Sequence, residues 1–154
     1  MKYKKQHLLV EHADRKLTVF KSAENEIIPS RGWLNVVRTA LNMTLQQLGG
    51  RLNITAQSAK DVELREAAGT ITINRLREAA QAMNMKLVYG LIPMDGSIEK
   101  MIEKRALTLA REIVLRTSQS MKLEDQENSS ERIEKAIKEK SREIIDELPR
   151  YIWE

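Results

Sequence analysis

Cysteine is absent from the 154 residues, so neither a disulfide nor a thiolate metal site can form, a composition that fits a reducing compartment. Proline occurs three times and glycine six times, leaving few breaks in the chain. The six aromatics (two Trp, three Tyr, one Phe) are too few to build a core, which must be aliphatic and favours helices rich in Leu, Ile, Met and Ala. No apolar run approaches the roughly 18 residues of a membrane span. The opening "MKYKKQ" leads into no signal-type hydrophobic stretch. A soluble, cytoplasmic protein with no membrane partner is expected. The two histidines, His7 and His12, stand five apart and do not share a helical face as a metal pair does. Gly-rich phosphate loops, a nucleophile elbow and a framed carboxylate pair are also missing. No catalytic residue, metal ligand or cofactor is expected, and the chain is not read as an enzyme.

Apolar residues make up 42% of the chain and charged residues 31%. Such a length and composition accommodate one small domain with an appendage. The net charge of +4 is unevenly spread, with excesses of +2 over residues 1–30, +3 over 31–95 and −1 over 96–154. A basic bias in the first two thirds permits a polyanionic partner without requiring one.

The pattern implies three divisions: an arm over 1–29, a compact helical domain over 30–93 and a C-terminal helical region over 94–154. Within the arm, Leu8, Leu9, Val10, Leu17, Val19 and Phe20 predict a helix over 6–24. Pro29 breaks it, and Ser30 can cap the next helix. Short helices are predicted over 32–42, 45–52, 56–66 and 73–83, with Thr44, Thr55 and Thr72 as further caps. "KLVYGLIP" (86–93) changes period and is predicted to be extended. Ser97 opens a long amphipathic helix with Ile98, Met101, Ile102, Leu109 and Ile113 on one face. "LEDQENSS" (123–130) is a polar linker ending in a candidate cap, Ser130. Ile133, Ile137, Ile144 and Leu148 then recur near heptad spacing up to Pro149, a stripe that serves either internal packing or association with another chain.

The most specific signal is "TLQQLGGRLNITAQSAKDVE", residues 44–63. Two helices that cross steeply through a three- or four-residue turn need a small residue at the crossing, a residue tolerant of positive φ in the turn, and apolar anchors at fixed offsets. Gly49 and Asn53 meet the first two requirements, Ile54 plugs the turn, and Leu48, Leu52, Ala59 and Val62 supply the remaining anchors. Thr55 then caps a second helix whose first turn can meet a phosphate. Gln57, Ser58 and Asp61 point away from Ala59 and Val62. Gln can pair with adenine and Asp can accept from cytosine. Lys60, Arg65, Thr44, Gln46 and Gln47 are placed for the phosphate backbone.

These residues carry a resemblance. Residues 34–89 resemble the Xre/Cro/CI family of lambda-repressor-like, five-helix helix-turn-helix DNA-binding domains. "MTLQQLGGRLNIT" stands at the second helix and turn, and "AQSAKDVE" at the recognition helix, with Glu63 at an acidic position common in that family. Gly49 stands where the family has Ala, Asn53 where it has the turn Gly, and Ala59 where it has a larger aliphatic. Over about residues 6–118, "GWLNVVRTALNMT", "EAAGTITINRLREAAQAMNMKLVYGLIP" and "SIEKMIEKRA" are similar to the bacterial group called mobile mystery protein A. The resemblance implies an all-α fold, double-stranded DNA with a palindromic operator as partner, a homodimer, and an antitoxin-like repressor encoded beside a Fic-domain toxin. A module that neutralises a toxin by covering it is the competing expectation.

Overall fold

A computed structural model describes residues 2–122 and 130–154. Among them all regular structure is helical: α1 (Lys2–Leu17), α2 (Trp33–Ala40), α3 (Leu45–Leu52), α4 (Ala56–Ala68), α5 (Ile73–Ala82), α6 (Ile98–Lys122) and α7 (Ser130–Glu147), with short 3-10 helices at Thr18–Ala23 and Arg150–Trp153. No described helix is long and apolar enough to cross a membrane. The predicted linker lies outside the described residues except for Ser130, which is the first residue of α7.

Two compact units divide the chain. One is continuous, Asn25–Tyr89; the other joins residues 2–24 to Gly90–Glu154. The arm therefore belongs with the C-terminal helices, a pairing that its own irregular periodicity did not disclose. Residues 86–93 form no strand, and Val88, Tyr89 and Leu91 are exposed, so the predicted extended segment has no ladder partner among the described residues.

Asn25–Tyr89 holds α2 to α5 around Leu34, Leu48, Ala59, Val62, Ala79 and Met83. Each short helix buries only a few residues of its own, and only the four together close a core. Thr44, Thr55 and Thr72 all adopt extended backbone and accept from the amide three residues on, in Gln47, Ser58 and Arg75. The start of α2 departs from this pattern. Gly32, at φ +81°, occupies the cap position that Ser30 was expected to supply. The Glu66 carboxylate from α4 instead accepts from the amides of Trp33 at 2.9 Å and Leu34 at 2.8 Å. A Cβ on residue 32 would lie 2.6 Å from that carboxylate, so glycine is what lets it approach.

In the second unit, α6 and α7 form an antiparallel hairpin with Ile102, Ala106, Ala110, Ile137, Ile144 and Ile152 in its buried core. The α7 stripe is thus taken up internally: Ile137 and Ile144 are buried, and Ile133 and Leu148 pack against them. Val10 of α1 joins the same core. Asp14, one turn further, accepts from the α6 amides of Ile98 at 2.7 Å and Glu99 at 3.1 Å, while Ser97 accepts from Lys100. A carboxylate at a helix N-terminus meets both the unpaired amides and the positive end of the dipole. After α7, Leu148 takes φ +43°, and the turn lets Ile152 insert at 0% exposure.

Candidate nucleic-acid interface

The corner between α3 and α4 is made by close backbone approach. Gly49 is buried, and a Cβ there would stand 2.7 Å from the Ile54 carbonyl oxygen and 3.0 Å from that of Thr55. Alanine does not fit without moving backbone, so the glycine at this position tightens the crossing. Asn53 adopts the left-handed conformation at φ +56°, ψ +39°. The Ile54 amide donates to the Gly49 carbonyl at 2.9 Å and closes the turn. Neighbouring Gly50 faces open space, and a Cβ added there would meet nothing within 4 Å.

From beneath, α4 is held by Ala59, Val62 and Glu63, all buried. Glu63 is the most constrained of the three. Both its oxygens bond the Arg38 guanidinium, Asn35 adds a hydrogen bond at 2.9 Å, and Arg38 also donates to the Met43 carbonyl at 2.8 Å. An acidic residue at this position therefore ties α4 to α2. The sequence showed the carboxylate but not its cation, 25 residues earlier.

The opposite face of α4 meets solvent. Gln57, Lys60 and Arg65 are exposed, and Ser58 and Asp61 are half-buried at its edge. Thr44, Gln46, Gln47 and Thr55 are exposed around the corner. The structure thus brings all nine expected site residues to the surface of one unit, although several are already engaged. Thr44 and Gln47 form a reciprocal capping box: the Gln47 backbone amide donates to Thr44 Oγ1 at 3.1 Å, and the Thr44 amide to Gln47 Oε1 at 2.8 Å. Gln47 accordingly keeps its side-chain NH₂ for an external acceptor. The Thr55 hydroxyl accepts from the Ser58 amide and donates to Ser58 Oγ at 3.0 Å, which leaves the Ser58 hydroxyl proton to be given outward. Gln57 Nε2 donates to Asp61 Oδ1 at 3.2 Å, one turn along the helix. Asp61 Oδ1 thereby holds the Gln57 amide, while Oδ2 enters no hydrogen bond among the described residues.

No family model, curated protein or solved structure matches the chain. The chemistry of this face rests on its own geometry. Sequence reasoning passed over Leu64, which is 56% exposed and stands seven residues after Gln57 and three after Asp61, placing it on the same stripe. An apolar side chain there suits a thymine methyl group. Charge also sorts inward and outward. Glu63 and Glu66 are spent on α2, and Arg38 with them, so the exterior of Asn25–Tyr89 keeps seven basic and three acidic side chains. The excess is the sign a phosphate backbone requires.

Proposed function

We propose that the protein is a sequence-specific, double-stranded-DNA-binding repressor that acts as a homodimer, with Asn25–Tyr89 as a helix-turn-helix domain of the Xre type and α4 as its recognition helix. The observation that carries this reading is the outward stripe of Gln57, Ser58 and Asp61 on a helix braced from behind by Leu48, Ala59, Val62 and the glycine corner. Four helices occupy the unit; the five-helix count of the resembling family would need a further element from outside it. Gln57 and Ser58 read base edges, Asp61 sets the amide plane of Gln57, and Lys60, Arg65, Thr44, Gln46, Gln47 and Thr55 meet phosphates. Two such helices related by a two-fold axis enter successive major grooves roughly 34 Å apart, so the operator is palindromic. The role as autoregulating antitoxin beside a Fic-domain toxin is supported by the resemblance of residues 6–118.

The test is a titration of the purified protein against its own promoter fragment and a scrambled fragment at two salt concentrations. Selective binding to the promoter, weakening steeply with salt, is expected. Equal affinity for both fragments at each salt would end the reading as a sequence-specific repressor.

A further inference from the structure

We propose that two copies of this chain dock, related by a two-fold axis, through an open groove along the outer side of the α6–α7 hairpin. The groove, about 420 Å³ in volume, is lined on α6 by Leu107, Arg111 and Leu115 and on α7 chiefly by Ile133, Glu134 and Lys138. α6 has already buried one apolar row, Ile102, Ala106 and Ala110, in the hairpin core. Leu107 and Leu115 form a second row that the chain itself leaves 41% and 42% exposed.

The charges of the groove choose its occupant. Glu99 and Ile102 share a cavity with Ile145, whereas Ile113 and Thr117 share one with Ile133 and Arg132, so the helices run antiparallel. Leu115 consequently lies toward Glu134, and Leu107 toward Lys138. Among the described residues Arg111, Glu134 and Lys138 enter no ion pair. The groove is therefore negative at one end and positive at the other. A partner of single sign would meet a like charge at one end. A second copy turned about a two-fold axis through the middle avoids this: Leu107 falls on Leu115 of the second copy, and Lys138 on its Glu134, twice over. Arg111, midway between the leucines, falls opposite its own copy near the axis, so in the dimer its stem must lie over the leucines and carry the guanidinium out to the solvated rim. This deepens the proposed function, whose two-fold operator requires a dimer.

Sedimentation equilibrium of the full chain without DNA tests the interface. The wild type is expected to dimerise. Leu107→Glu with Leu115→Glu should raise the dissociation constant by about tenfold or more, as loss of a central apolar contact does. Glu134→Lys alone and Lys138→Glu alone should each weaken association, and the two together should restore it, because the pairs reform with signs exchanged. Circular dichroism checks folding; should the leucine variant unfold, the solvent-facing charge variants decide. A monomeric wild type, an unaffected leucine variant that remains folded, or a double reversal no better than either single one would overturn the proposal. A dimer that passes these tests but ignores its promoter would count against the DNA-binding reading and leave this interface standing.

Discussion

The side-chain amide of Gln57 is held by the carboxylate of Asp61 at 3.2 Å across one turn of α4. Of the two amide protons one is committed to Asp61, and the other, with Oε1, remains for an adenine edge. Asp61→Ala is expected to free the Gln57 side chain and lower discrimination between promoter and scrambled DNA, and Gln57→Ala to cost roughly 1–3 kcal/mol of it, the worth of one bidentate base contact. Fluorescence anisotropy on both fragments measures each effect. An Asp61→Ala variant with unchanged discrimination would show that the pairing does not prepare Gln57 for DNA.

The adjacent glycines of α3 should respond in opposite directions. Gly49→Ala must push a methyl group against the carbonyls of Ile54 and Thr55, and overpacking of this kind costs about 1–3 kcal/mol. Gly50→Ala adds its methyl in open space and relieves the backbone entropy of a helical glycine, a gain of about 0.5–1 kcal/mol. Urea unfolding midpoints of the two variants check both signs.

Glu63→Ala would leave Arg38, whose side chain is only 15% exposed, without its carboxylate. Breaking a buried pair from one side costs about 3–5 kcal/mol, because the remaining charge is uncompensated. Thermal unfolding should show α4 losing its anchor, and a loss below about 1 kcal/mol, the worth of an exposed pair, would mean that solvent reaches the arginine freely.

For the other unit, Asp14→Ala removes the acceptor of two α6 amides and should cost about 0.5–2 kcal/mol, as loss of a helix cap does. Hydrogen exchange at the Ile98 and Glu99 amides is the direct readout, with faster exchange expected there in the variant than in the wild type.

The contrast between Thr55 and Ser30 separates what local chemistry reveals from what it hides. Thr44, Thr55, Thr72 and Asn53 act within four residues of themselves, so caps, turn and the α3–α4 corner were legible in the sequence. The α2 cap is not local. It comes from Glu66, 33 residues beyond Trp33, which a glycine at position 32 admits and which no short-range rule points to. Likewise Asp14 reaches Ile98 across 84 residues, and this explains why the arm was set apart from the helices it joins. Of the site, the residue types were legible, and the Thr44-x-x-Gln47 spacing carried the signal of the capping box; the turning of Asp61 toward Gln57, one of several positions open to a solvent-facing side chain, is not fixed by spacing alone.

The interrupted unit also dictates an order of events during synthesis. α1 emerges well before α6 and α7, yet Val10 and Asp14 meet their partners only after Ile98 and the residues beyond Ile137 have followed. Meanwhile Asn25–Tyr89, continuous in the chain, has every core residue it needs. The nascent protein thus completes this middle unit before α1 can dock, and Val10 waits in water until α6 and α7 arrive.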